Sequence, residues 1–201
     1  MTEIEKEIFR PGNMLYPLPA VMVSCADREG NDNIITVAWT GTICSDPAML
    51  YISVRPNRFS HHMIEESGEF VVNLTTETLA KATDFCGVRS GKEIDKWKET
   101  GLTRKKAVSL QYAPAIAECP VNIECQVTEI KRLGSHDMFL AKVTAVQVSK
   151  TYMNENGKFE LNKTGLLAYS HGEYLGLGKS IGTFGYSVRK KQKKKKNKKK
   201  K

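Results

Sequence analysis

The stretch NIITVAWTGTICSDPAMLYISVRPNRFS, residues 33–60, sets the reading of the whole chain. Ile34–Thr40 and Met49–Val54 are short, β-branched apolar runs of strand character. Val37 and Trp39 can be buried as strand residues, while the hydroxyls of Thr36, Thr40, Thr42 and Ser45 and the neighbouring backbone amides stay able to bind a polar ligand. Arg55, Arg58 and Ser60 follow at once and offer a seat for an anion, since guanidinium groups match phosphate in charge and in fork shape. A flat, polar-edged ring carrying a phosphate tail would suit both halves.

Working outward, Val21–Ala26 is a further apolar strand, and the Gly and Asn residues of 28–33 turn it into a hairpin with Ile34–Thr40. Phe70–Leu74 adds another strand. Arg58–Ser67 and Thr76–Phe85 have helical composition. The clearest periodicity is Val121, Ile123, Cys125 and Val127 alternating with Asn122, Glu124, Gln126 and Thr128, which predicts a strand with one buried face. Phe139, Ala141, Val143 and Ala145 repeat it beyond Gly134-Ser135, so the two strands should pair antiparallel. Six or seven strands with a few short helices predict a mainly β protein, a closed or partly closed barrel. A length of 201 residues suits one domain.

The net charge of +9 invites a nucleic-acid reading, yet residues 189–201 hold eleven Lys or Arg, which leaves about −2 for the other 188 residues. That like-charge run repels itself and is expected to be a disordered tail, free to bind polyanions non-specifically. Five cysteines without a CxxC pair or zinc-ribbon spacing, and no secretory signal, point to a reducing cytoplasm. No apolar run reaches the roughly 18 residues of a membrane span. His61 and His62 stand four residues before Glu65 and Glu66, but adjacent helical histidines point apart, so surface ion pairs are the expectation and no metal site is assigned. Ser60 suits a helix N-cap.

Taken in order, NIITVAW at 33–39, CSDP at 44–47, LYISVRP at 50–56, RFSHHMI at 58–64, GEFVVNL at 68–74, FCGVRSGKEIDKW at 85–97 and HGEYLGLGKSIGTFGYS at 171–187 resemble the flavin reductase-like family. The resemblance implies an FMN-binding split β-barrel, a Greek-key antiparallel barrel with short flanking helices, over residues 14–188. An N-terminal arm, 1–13, precedes it and the Lys-rich tail, 189–201, follows. It further implies that Thr36 to Ser45 lines the isoalloxazine ring, with the backbone of Ala38, Trp39 and Thr40 on the pyrimidine edge. Thr42, Cys44, Ser45 and Ser53 complete that set, and Cys44 can touch the ring or simply be buried. Arg55, Arg58 and Ser60 fall at the FMN phosphate. Phe85 could pack on the ring, and Lys92 and Lys96 could reach a phosphate or form a solvated basic loop closed by Trp97. His171, beside the glycine-rich stretch, is a candidate for contacting nicotinamide or tuning the flavin.

The implied activity is hydride transfer from NADH or NADPH to FMN, followed by electron transfer to an acceptor, in a homodimer. Such chemistry needs two planar rings held near contact rather than an acid–base dyad. Two alternatives stay open: a flavoredoxin-type carrier reduced by a protein partner, and a non-enzymatic barrel whose Lys tail engages nucleic acid.

Overall fold

Strand β2, Val21–Ala26, is buried at every position because its two faces meet two different cores. It follows a two-residue strand β1, Leu18–Pro19, in a computed structural model that describes residues 2–189. Val21, Val23 and Cys25 face inward and pack with Ile35, Val37, Ile52, Phe70, Val72 and Phe139. Met22 on the other face packs with Ile34, Cys86, Trp97, Leu102 and Ile116. Fully buried side chains such as Phe70 and Phe139 each contribute on the order of 2–3 kcal/mol.

β3, Asp32–Val37, returns antiparallel to β2 with Val21 opposite Val37 and Ala26 opposite Asp32. The strand expected to run on to Thr40 breaks at Ala38–Trp39. Thr40–Ser45 forms a further strand, β4, paired with β5, Ala48–Val54. Helix α1, Phe59–Ser67, leads into β6, Glu69–Leu74. A 3-10 turn at Glu77–Leu79 then opens α2, Ala80–Val88, so the helix expected over 76–85 starts and ends later. α3, Lys96–Thr100, and two-residue strands β7, Arg104–Lys105, and β8, Ala115–Ile116, precede the long hairpin β9, Val121–Arg132, and β10, Asp137–Val148. β11, Leu167–Ser170, and β12, Glu173–Gly176, form a small sheet with β1.

The main sheet has seven strands in the order β3-β2-β6-β9-β10-β5-β4, all pairs antiparallel. Its two outermost strands, β3 and β4, are consecutive in sequence. The Trp39 carbonyl accepts from the Ser53 amide at 2.8 Å, which extends the β4–β5 pairing to the Ala38–Trp39 link, and Ile35 and Val37 of β3 share one core with Ile52 and Val54 of β5, so the sheet curls round on itself with its seam between β3 and β4. This is the split antiparallel barrel that the sequence resemblance implies.

The hairpin pairs as expected, but β9 does not have a single buried face. Asn122 and Glu124, on the polar side of the alternation, are 3 % and 0 % exposed because residues 108–116 cover them. Both are satisfied there. Asn122 Nδ2 donates to Asn73 Oδ1 and to the Ile116 carbonyl at 2.9 Å each. The Glu124 carboxylate accepts from the Val108 and Ser109 amides and from Gln147 Nε2. Buried polar groups persist only when paired in this way.

Residues 2–13 form no helix or strand and are exposed. Residues 190–201, nearly all of the expected tail, lie outside the described residues. Among the described residues, no helix is long and apolar enough to cross a membrane.

Candidate flavin cleft

Two cavities open along the barrel seam and share Ile35, Arg55 and Arg58 as their common wall. The first, about 530 Å³, is cationic: Arg55, Arg58, Arg89 and Lys96 line it with Asn33, Asn57 and Ser60. The second, about 440 Å³, runs along the backbone from Ile35 to Trp39 and is faced by Ser53, His136, Tyr169 and Tyr174. Together they form one elongated cleft with a charged end and an aromatic-walled end.

The cations are held by the fold. Arg58, at the cap position of α1, donates from its guanidinium to the Gly87 carbonyl of α2 at 2.7 Å. Asp95 caps α3 by accepting from the Trp97 and Lys98 amides at 3.0 and 3.2 Å, which drives Lys96 inward at the first helical position. Lys96 Nζ there donates to the carbonyls of Ile34 and Cys86, each at 2.7 Å. Gly91 rests on Asn33 so closely that an added Cβ would stand 2.2 Å from Asn33 Oδ1. Asn33 Nδ2 in turn donates to Ser60 Oγ at 2.9 Å. Ser60 is therefore not the N-cap expected from its position. It sits inside the first turn of α1, buried and bonded to Asn33.

At the aromatic end the His136 ring stacks at a tilt on Trp39, centroids 4.3 Å apart. Burial and the Arg55 charge lower the His136 pKa, with Asp137 opposing, which favours the neutral imidazole. Tyr169 and Tyr174 stand 5.6 Å apart. Burial and the Asp84 carboxylate push the Tyr174 hydroxyl up to about 12, so it stays protonated.

The sequence candidates divide. Thr36, Ala38, Trp39, Ser53, Arg55 and Arg58 line the second cavity, and Arg55, Arg58, Ser60 and Lys96 the first. The Thr36 hydroxyl is engaged with the Thr83 carbonyl, and the Thr40 hydroxyl donates to the Tyr51 carbonyl at 2.6 Å, so neither has its proton left to give to a ligand. Thr42, Cys44 and Ser45 follow β4 away from both cavities, with Cys44 Sγ 3.3 Å from the Asp46 carbonyl. Phe85 lies outside both linings, and Lys92 lines a neighbouring cleft with Lys96. His171 occupies the β11–β12 turn at φ 48°, followed by Gly172 at φ 87°, a left-handed pair typical of tight hairpins. Its ring packs on Tyr16 at 4.8 Å, and Gly172 is the turn residue that reaches the cavity.

His61 is not a surface residue. It is 6 % exposed, with Nδ1 3.7 Å from Glu65 Oε2, the pair expected from the spacing, and Nε2 2.8 Å from Asp137 Oδ2, and Arg132 bridges Asp137 to Glu65. Glu66 accepts instead from the Arg28 amide.

Asn33, Asn57, Arg89, His136 and Tyr174 line the cleft without having been singled out. Arg89 and Tyr174 lie inside the motifs FCGVRSGKEIDKW and HGEYLGLGKSIGTFGYS that carry the resemblance, whereas His136 reads only as the end of a Gly-Ser turn.

A flat ring along the 35–39 backbone with its phosphate among the arginines fits this donor set. The solved flavoredoxin of Desulfovibrio vulgaris (Miyazaki F) is similar in fold, with a TM-score of 0.85 at 24 % identity, covering 92 % of this chain and 100 % of that one. Flavoredoxin from Methanosarcina acetivorans gives 0.82 at 26 % identity over the same shares. A Streptomyces pristinaespiralis protein named NADH:riboflavin 5'-phosphate oxidoreductase is 21 % identical over 137 residues, 66 % of this chain and 72 % of that protein. Residues 14–178 match the profile of the flavin reductase like domain, and the chain belongs to that family.

Proposed function

We propose that this chain binds FMN in the seam cleft and passes reducing equivalents from NADH or NADPH through it to an acceptor. The observation that carries the reading is the junction, at Ile35, Arg55 and Arg58, of an aromatic-walled slot with a cationic cavity that has no carboxylate among the described residues lining it. FMN, when bound, supplies the hydride-accepting and electron-passing chemistry. Arg55, Arg58, Arg89 and Lys96 would hold its phosphate through charge-assisted bonds. The Ile35–Trp39 backbone would orient the ring, and the Tyr169–Tyr174 wall would keep water from one side of it. The neutral His136, on Trp39, stands where it can hydrogen-bond the ring edge or a stacked nicotinamide. Family membership and the named NADH oxidoreductase relative support the nicotinamide donor. Apolar side chains exposed on both terminal arms, among them Ile8, Phe9, Ile181 and Phe184, support a homodimer, and five free cysteines support a cytoplasmic setting.

The test is anaerobic addition of NADH, then NADPH, to the FMN-loaded protein. Bleaching of the bound flavin by either is expected and identifies the donor. The flavoredoxin-like structures favour a second reading, a carrier reduced by a protein partner. Tight FMN retention without bleaching by either nucleotide would select it.

A further inference from the structure

Lys96 is 3 % exposed and yet lines the cationic cavity. Burying an ammonium costs several kcal/mol unless partners replace its water. Two carbonyls do so, those of Ile34 and Cys86, and the second belongs to the last turn of α2, where the helix dipole favours a cation. An ammonium has three N–H donors, so one more remains beyond these two.

The charges around it are unevenly placed. Among the described residues, the cavity lining holds Arg55, Arg58, Arg89 and Lys96 and no carboxylate. Cys86 from α2 and Cys25 from β2 are thiols that burial pushes up to about 11 and about 12, so both are neutral near pH 7. On the far side of Lys96 a separate cleft holds Asp27, Asp32, Glu93 and Asp95 against Lys92, Arg104 and His62. Three of those carboxylates have other partners, since Asp32 pairs with Arg104 at 2.6 Å, Asp95 caps α3, and Asp27 accepts from the Glu29 and Asn31 amides, while Glu93 is exposed to water. Burial lowers the Lys96 pKa to about 8, and the Arg58 charge adds to the shift.

We propose that Lys96 is a proton-linked phosphate ligand: at alkaline pH, where part of the free amine is neutral, entry of a phosphomonoester dianion into the Arg55–Arg58–Arg89 cavity draws a proton from solvent onto Nζ, so the site selects FMN over riboflavin in a pH-dependent way. This rests on the flavin reading above and adds to it the protonation state that the site requires. The dianion supplies the counter-charge that the cavity lacks, so the amine's pKa rises in the complex. Below the free-state value the amine is already charged and binding is independent of pH. Above it, binding must take up a proton and affinity falls as pH rises. A phosphomonoester loses its second proton near pH ~6, so its own charge is constant across the window from about pH 7 upward.

The experiment measures dissociation constants of the intact protein for FMN and for riboflavin from about pH 7 to about pH 9.5, by flavin fluorescence. With the free amine at about 8, FMN is expected to weaken about fivefold between pH 8 and about pH 9, while riboflavin, which has the same ring and no phosphate, stays flat. Lys96→Arg should abolish the FMN slope. Should that variant not fold, the comparison of the two flavins on the native protein decides alone. Parallel profiles for FMN and riboflavin would overturn the inference while leaving the flavin site standing. Failure of both flavins to bind at any pH would overturn the flavin reading and this inference with it.

Discussion

The guanidinium of Arg58 donates to the carbonyl of Gly87 at 2.7 Å, tying the turn before α1 to the last turn of α2 across the junction of the two cavities. A cation fixed at that point is already oriented before any ligand arrives, which lowers the ordering cost of binding. Arg58→Ala is therefore expected to weaken FMN roughly ten- to a hundredfold, the worth of one or two charge-assisted bonds. Riboflavin binding should change far less. Paired flavin titrations read the difference, and equal losses for the two flavins would remove Arg58 from the phosphate site.

Gly91 offers a second handle. Its missing side chain lets residues 90–91 close on Asn33, and a Cβ there would meet Asn33 Oδ1 at 2.2 Å. Gly91→Ala should lift that loop or break the Asn33–Ser60 bond, reshaping the cationic cavity while the barrel core stays intact. An FMN dissociation constant raised by about tenfold, with a urea midpoint close to that of the native protein, is expected. A large fall in the midpoint would mean that the contact serves folding.

Asp137 is buried against His61 and Arg132. Burial raises its pKa, but the bonds from Arg132 and His61 prevail and hold the carboxyl below its ordinary value of 3.8. A carboxyl depressed in the folded state adds stability that is present above the unfolded value and is lost as pH falls through the folded one. Asp137→Asn should cost about 2–3 kcal/mol at neutral pH and flatten the acid limb of a stability–pH profile. A variant as acid-sensitive as the native protein would assign that limb to other groups.

Glu124 should be costlier to truncate than its place on an alternating strand suggests. Its carboxylate satisfies the Val108 and Ser109 amides, the Ser109 hydroxyl and Gln147. Glu124→Ala is expected to lose about 3 kcal/mol, readable in chemical denaturation, because several buried donors are orphaned at once. A loss below about 1 kcal/mol would show that water replaces the carboxylate easily.

These residues also mark what the sequence makes legible. Val21–Ala26 and Phe70–Leu74 are continuous apolar runs, and their strands fall within a residue of the expected ends. The β9–β10 pairing follows from two alternating segments and a Gly-Ser turn. Local pattern cannot reveal what covers a strand's polar face, so the burial of Asn122 and Glu124 under residues 108–116 was out of reach. The same holds for His61, whose partner Asp137 is 76 residues away. At the cleft, Arg55 and Arg58 are legible because charge and proximity in sequence coincide. Thr42, Cys44 and Ser45 lie on strand β4, which runs past the two cavities, and their hydroxyls and thiol give no local sign of that course. His136 gives no signal in sequence, because its place in the cleft depends on stacking with Trp39, 97 residues away.

The flavin site at the barrel seam is tested most directly by a visible-spectrum titration of the purified protein with FMN, repeated on Arg55→Ala/Arg58→Ala. Saturation at one flavin per chain with a shifted absorption band, lost or greatly weakened in the double variant, is the expected result. No spectral change at any FMN concentration, or an identical isotherm for the double variant, would contradict it.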